Sequence, residues 1–249
     1  MKIEETLRRL KIDGWCVVND VIPKDVVGSI RRSVAKTAGY DDNNKGVMGV
    51  GASTGLIASD QSLAPHLADE KVAGVAEALF GPHVRISFTT AIINKPGNDR
   101  GGWHADWPFN QYNAGHIPAP YPDTVMHMTS IWMLSPFSPD TGGTLIVPGS
   151  HRSNNNPTGG NGVDPNKKYP TEMQATGDPG SVLIFDSRLW HATATNNGTE
   201  PRVGVAVRYA PWWLNLDVLM PGSVERARMS EETGIKENEV ATVPNSVYE

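Results

Sequence analysis

The chain has 249 residues, a formal net charge of −5, 39% hydrophobic residues and 20% charged residues, the balance of a globular protein that buries a sizeable core. The acidic charge and the lack of any Lys/Arg run exclude the basic face that a nucleic-acid partner demands. No segment approaches the ~20 apolar residues of a membrane span. The amino terminus alternates charged and apolar residues and lacks the apolar run of a secretory signal, so a cytoplasmic protein is expected.

All-β barrels of ~200–250 residues commonly form one unit, and one domain is expected over 1–249. It divides into a helical lead-in at 1–83, a β-rich core at 84–210 and a C-terminal extension at 211–249. Residues 3–10 have the spacing of a short amphipathic helix, and Gly14 to Val18 that of a strand. The only cysteine, Cys16, lies in that strand and reads as a core thiol. Pro23 to Ala38 predicts a helix with proline in its first turn and Gly39 just past its end; Asp69 to Phe80 predicts another, closed by Gly81-Pro82. Gly39 to Gly55 and Asn154 to Lys168, rich in Gly, Asn and Asp, read as exposed loops.

From Val84 the pattern becomes β-rich. Strands are predicted at Val84 to Asn94, Val125 to Leu134, Thr144 to Val147, Ser181 to Phe185, Trp190 to Thr195 and Val203 to Tyr209. Turn residues separate them, as in Lys95-Pro96-Gly97 and Asn196-Asn197-Gly198. Strands after a helical lead-in indicate a β-sandwich or barrel with helices outside.

Two stretches carry the chemistry: Gly-Trp-His104-Ala-Asp106-Trp, and Trp-His191-Ala-Thr193 followed by Arg202. Two imidazoles and one carboxylate are the ligand set that leaves a non-haem iron(II) three open positions. Positions 104 and 106 are two apart, so in an extended segment both side chains leave one face and form a chelate. His191, taken alone, also reads as a core histidine bound to a backbone carbonyl. Asn196-Asn197-Gly198 suggests a hairpin that would set His191 and Arg202 on adjacent antiparallel strands, with the guanidinium beside the metal. Such a buried arginine requires an anion, and a dicarboxylate co-substrate would supply it, assisted by the Thr193 hydroxyl on the same face as His191. The plain alternative is a solvent-facing Arg202 paired with Glu200.

The order His104-Ala-Asp106, then Gly142-Gly143-Thr-Leu-Ile-Val-Pro148-Gly149-Ser150-His151, then His191-Ala-Thr193 with Arg202 eleven positions on, resembles the phytanoyl-CoA dioxygenase family of iron(II)- and 2-oxoglutarate-dependent oxygenases. The resemblance runs from about Lys11 to Tyr209. It implies a mainly β fold: a double-stranded β-helix, or jelly roll of the cupin type, with flanking α-helices. It further implies that His104, Asp106 and His191 bind Fe(II), that Arg202 and Thr193 hold the far carboxylate of 2-oxoglutarate, and that Trp132 lines the co-substrate pocket. O2 would be the second co-substrate, succinate and CO2 the by-products, and a small-molecule metabolite the substrate, hydroxylated or otherwise oxidised. His151 matches a motif that is mostly architectural in this family.

Some members, such as the ectoine hydroxylases, carry an asparagine two positions before the lysine of Lys-Pro-Gly; here that position is Ile93, and Asn94 follows. Asp106 fills the ligand position that related halogenases leave to a small residue, which disfavours halogenation. The aromatic-rich stretch from Trp107 to Val125 reads either as a substrate lid or as a rigid surface loop. Two other readings keep the fold: a cupin-type metalloenzyme without 2-oxoglutarate, and a jelly roll that binds a ligand without turnover.

Overall fold

The computed structural model describes residues 1–40, 50–107, 120, 122–155, 157 and 163–214. Its helices precede most of its strands: α1 (Ile3–Ile12), α2 (Lys24–Thr37), α3 (Leu56–Ser59), α4 (Ala64–Leu67) and α5 (Glu70–Phe80). In α1 the acidic Glu4 and Glu5 sit in the first turn and the basic Arg9 and Lys11 in the last, matching the helix dipole. Val27, Ile30 and Val34 form the buried stripe of α2. Asp69 caps α5 by accepting from the Lys71 backbone N–H, and Gly81 ends it at φ 83°. Among the described residues, no helix is long and apolar enough to cross a membrane.

The strands are β1 (Trp15–Val18), β2 (Val50–Thr54), β3 (Val84–Asn94), β4 (Met128–Met133), β5 (Thr144–Ile146), β6 (Met173–Gln174), β7 (Val182–Asp186), β8 (His191–Thr193) and β9 (Arg202–Pro211). They form two antiparallel sheets, one in the order β1-β7-β4-β9-β3-β2 and one in the order β6-β5-β8. The long β3–β9 pairing is the spine of the larger sheet, running from Val84↔Pro211 to Asn94↔Arg202.

The larger sheet lies between the helices and the smaller sheet, and period-2 alternation assigns its side chains. Val203, Val205 and Val207 of β9 join the core cluster that includes Leu10, Ile30, Val72 and Val75 of the helices. Ala206, with Ile131, Leu183 and Phe185, packs instead against Ile146 of the smaller sheet. Arg202 and Arg208, in step with Ala206, face that second, inter-sheet space. This is the predicted mainly β architecture with helices outside, and two strands of the lead-in, β1 and β2, form the edges of its larger sheet.

Two expectations need correction. The predicted loop from Gly39 to Gly55 contains β2, whose Val-Gly-Ala-Ser-Thr sequence has little strand signal of its own and is ordered by pairing with β3; residues 41–49 lie outside the described residues. In addition, β8 and β9 are not neighbours in one sheet. The segment between them crosses from the smaller sheet to the larger, so Arg202 reaches the inter-sheet space from the side opposite His191.

Asn94 holds that crossing in place. It is fully buried, donates from Nδ2 to the carbonyls of Ala194 (3.0 Å) and Gly142 (3.3 Å), and accepts from Asn98 at Oδ1 (2.7 Å). Gly142, at φ 74°, has no room for a side chain: a Cβ would lie 2.5 Å from Asn94 Nδ2. Asn94→Ala leaves two buried carbonyls and an amide without partners, each worth ~1–3 kcal/mol. The expected loss is about 3 kcal/mol of unfolding free energy in urea titration; a loss below about 1 kcal/mol would contradict this role.

Candidate active site

The segment Gly101–Trp107 runs beside β8 almost as a further strand. Gly101 N–H donates to Thr193 O (2.9 Å), and His104 and His191 exchange both backbone hydrogen bonds (3.0 and 2.9 Å). The Asp106 and Trp107 amides then both donate to Ser187 O. Extended geometry puts His104 and Asp106 on one face, and the bridge sets His191 directly opposite His104. Trp103 anchors the segment from its other face: it is fully buried, donates from Nε1 to Lys167 O (2.8 Å), meets Tyr169 edge-on, and lies under Arg100. Arg100 is in turn held by a two-point ion pair with Glu172 (2.9 and 2.8 Å).

The potential ligand atoms of His104, Asp106 and His191 all lie within 4.8 Å of one another. The two imidazole centroids are 4.2 Å apart, and His191 Nε2 lies 3.8 Å from Asp106 Oδ2. His191 Nδ1 contacts Leu189 O at 2.9 Å, and His104 Nδ1 contacts Gly102 O at 3.2 Å. A carbonyl only accepts, so each ring carries a proton on Nδ1, which leaves the Nε2 lone pair for a metal. Burial, then the neighbouring His104, lowers the His191 pKa to about 4, keeping it neutral at physiological pH.

Burial alone would raise the Asp106 carboxyl. The Arg208 guanidinium, the two imidazoles and a hydrogen bond from Thr129 outweigh burial and hold it well below the ordinary carboxylate range. Asp106 is therefore ionised, as a ligand must be.

A cavity of about 90 Å³ joins these three residues to Thr129, Ile131, Thr144, Thr193, Arg202 and Arg208. A wider cleft of about 520 Å³ lined by Ile3, Glu70 and Glu77 carries neither imidazole nor guanidinium. Arg202 is 2% exposed, and among the described residues no carboxylate pairs with it. Its Nε has no hydrogen-bond partner, and its guanidinium stacks on Phe137 at 4.3 Å from the ring centroid. Burial pushes its pKa down to about 10, still charged at neutral pH. Gly204 makes the stack possible, since a Cβ there would lie 2.9 Å from Phe137 Cζ. Glu200, the surface alternative, instead lies 4.0 Å from Arg31.

Thr193 lines the cavity beside Thr144, its cross-strand partner. Trp132 does not: it sits in the core cluster on the helix-covered face of β4 and donates from Nε1 to Ser130 Oγ (3.0 Å). Its expected place in the co-substrate pocket is thus corrected, because alternation turns Thr129 and Ile131 inward and Trp132 outward. His151 is buried far along the chain from the triad, with Nε2 at 3.4 Å from Lys11 O. Cys16 is a core thiol, pushed up to about 12 by burial. Most of the stretch from Trp107 to Val125 lies outside the described residues.

Arg208, Thr129 and Thr144 line the cavity and His127 lies behind it, and none of the four was singled out from the sequence. Arg208 had a signal, since it is six positions from Arg202 and so on the same face of a strand. His127 had none: it lies just before β4, and only folding brings it against Ser187 and Ser87.

A helix-covered antiparallel sandwich with two imidazoles and a carboxylate facing its interior is a jelly-roll fold with a candidate metal centre. The chain belongs to the phytanoyl-CoA dioxygenase (PhyH) family, whose profile matches residues 10–204. It is similar to the dioxygenase af480 of Aspergillus fumigatus, with 30% identity over 49% of this chain and 36% of that protein. The chain thus matches little more than a third of that relative's length. The dioxygenase cdmA of Talaromyces verruculosus is 24% identical over 84% of this chain and 72% of its own. Among solved structures, HygX of Streptomyces hygroscopicus, with nickel and 2-oxoglutarate bound, superposes with a TM-score of 0.65 at 18% identity. The match covers 85% of this chain and 88% of HygX, and shows the shared fold.

Metal-free stability has a predicted pH dependence. Burial lowers His127 to about 3 and His191 to about 4, against 6.5 for free imidazole. Between pH 6.5 and about 4 the unfolded chain binds protons that the folded one refuses, so stability falls as pH falls, by ~1.4 kcal/mol per unit for each group. Urea midpoints at pH 7.5 and 5.0 should show this loss, and His127→Gln should reduce the slope. A midpoint that does not move with pH would refute the assignment.

Proposed function

We propose that this protein is an iron(II)- and 2-oxoglutarate-dependent dioxygenase acting on a small-molecule metabolite. His104, Asp106 and His191 would hold the iron, and Arg202 with Thr193 the far carboxylate of 2-oxoglutarate. The observation that carries this reading is the buried Arg202 guanidinium, without a carboxylate partner among the described residues, in the same small cavity as the three potential ligands. An uncompensated buried charge costs several kcal/mol, and a dicarboxylate bridging a dication and Arg202 would relieve it. A metalloenzyme without 2-oxoglutarate leaves Arg202 without a task.

The residues fit the group in donor chemistry as well. Two imidazoles whose Nδ1 atoms face carbonyls, leaving Nε2 free, and one ionised carboxylate suit iron(II), and three protein donors would leave coordination positions open. When bound, iron with 2-oxoglutarate and O2 supplies an oxidant for an unactivated C–H bond, with release of succinate and CO2. The chain's own part is orientation and exclusion of water. Leu189 O and Gly102 O fix the imidazole rings, Phe137 backs the guanidinium, and Ile131 and Ala206 dry the inner wall. HygX has been crystallised with nickel, 2-oxoglutarate and hygromycin B, which supports a small-molecule substrate here. The expected cytoplasmic location accords with this reading, because 2-oxoglutarate is a metabolite of that compartment.

Anaerobic titration of the iron-loaded protein should give 2-oxoglutarate binding, and admission of air should give succinate. Removing one partner of a buried charge pair costs ~2–5 kcal/mol, so Arg202→Gln should weaken 2-oxoglutarate by about a hundredfold or more and leave iron affinity near wild type. Asp106→Ala should lose iron itself. Wild-type 2-oxoglutarate affinity in Arg202→Gln would sink the co-substrate assignment.

A further inference from the structure

Both carboxylate oxygens of Asp106 are engaged, by two unrelated devices. Oδ1 accepts from Arg208 Nη2 at 2.6 Å, and Arg208 is itself seated on the Phe88 ring, 4.5 Å from its centroid. Oδ2, the oxygen 3.8 Å from His191 Nε2, accepts from Thr129 Oγ1 at 2.8 Å. Beyond Thr129 the contacts continue through buried groups: Ser187 Oγ at 2.7 Å, then His127 Nδ1 at 2.9 Å, then Ser87 Oγ at 3.0 Å from His127 Nε2. Thr129, Ser187, His127 and Ser87 are each no more than 2% exposed.

The direction of every bond in this chain follows from its end. A carboxylate accepts only, so Thr129 donates its one hydroxyl proton to Asp106. Ser187 must then donate to Thr129, and His127 must donate to Ser187 from Nδ1. A neutral imidazole protonated at Nδ1 has its lone pair at Nε2, which Ser87 supplies with a proton. Neutral His127 is consistent with its depressed pKa, caused by burial and then by Arg208. All four donors therefore point toward Asp106, the arrangement in which each bond polarises the next. Ser87 reaches inward because the β3–β9 register slips between Ile86 and Phe88, a bulge that adds this one side chain to the inner face.

We infer that Arg208 and the Ser87–His127–Ser187–Thr129 chain are positioning devices that make Asp106 a one-oxygen metal ligand. This rests on the iron-centre reading above. A six-coordinate metal held by two imidazoles and one carboxylate oxygen would keep three positions, the number that a chelating 2-oxo acid and one further small ligand would need. A carboxylate binding through both oxygens would leave two. Arg208 blocks that by occupying Oδ1, while the Thr129 bond fixes the rotation of the group so that Oδ2 faces the imidazoles.

The test uses the full chain, stripped of metal and titrated with cobalt(II), read by affinity and by X-ray absorption for the carboxylate binding mode. Loss of an outer partner typically weakens metal binding by ~10–100-fold. Arg208→Gln should weaken cobalt(II) by about tenfold or more and move the carboxylate carbon closer to the metal, the mark of two-oxygen binding. Arg208→Lys should restore the one-oxygen mode, and Ser87→Ala, at the far end of the chain, should weaken cobalt(II) binding measurably but less than Arg208→Gln does. These two milder variants carry the test if Arg208→Gln fails to fold. Variants that melt earlier yet keep wild-type cobalt affinity and binding mode would overturn the inference, since their role would be structural. Wild-type protein that binds no divalent metal would overturn the iron-centre reading as well.

Discussion

Two guanidiniums and one carboxylate share a space of about 90 Å³ between two sheets, and the rest of the site is arranged around that imbalance. Arg208 has its counter-charge in Asp106 at 2.6 Å, whereas Arg202 has an aromatic ring beneath it and no anion among the described residues. A stacked ring offsets part of the desolvation of a guanidinium but not its net charge. The unbalanced charge and the candidate ligand triad line one cavity and approach it from opposite sheets. A dicarboxylate reaching from metal to arginine is the simplest occupant that satisfies both.

Strand β9 is where fold and site meet. Its outward valines, Val203, Val205 and Val207, pack under the helices, and its inward positions carry Arg202, Gly204, Ala206 and Arg208. The apolar set supplies the burial that holds the strand, and the same burial removes water from the charged set on its other face. Gly204 and Ala206 are small because Phe137 and the cavity occupy the volume above them. The helices α1, α2 and α5, remote from the chemistry, thus fix the register on which the two arginines depend.

Much of this could be read from the chain directly, and the reasons differ by element. The helix ends were marked by Asp69, Gly39 and Gly81, and β3 by an unbroken β-rich run that the fold reproduces from Val84 to Asn94. His104 and Asp106 were legible as a pair because spacing by two has one meaning in an extended segment. Trp132 was not, because β4 is buried on both faces, so alternation says which residues share a side but not which side holds the site. The placement of β8 and β9 in different sheets was equally hidden: Asn196-Asn197-Gly198 marks a turn, but nothing local distinguishes a hairpin from a crossing between sheets. His127 depends on a bulge at Ser87, a property of the β3–β9 register rather than of either strand alone.

The same features that make the site hard to read make it costly to keep empty. A buried guanidinium with no anion among the described residues, a His191 imidazole held neutral by burial and a hydroxyl chain of fixed direction each oppose local preference, and such departures concentrate where a protein binds something. Any species that binds the folded chain alone stabilises it by mass action. Under the proposed reading, metal and co-substrate would act as parts of the core: the metal by joining the segment Gly101–Trp107 to β8, the co-substrate by tying β8 to β9 across the gap between sheets. Because those elements belong to different sheets, the occupant of the cavity would also be the contact that closes the sandwich at its polar end.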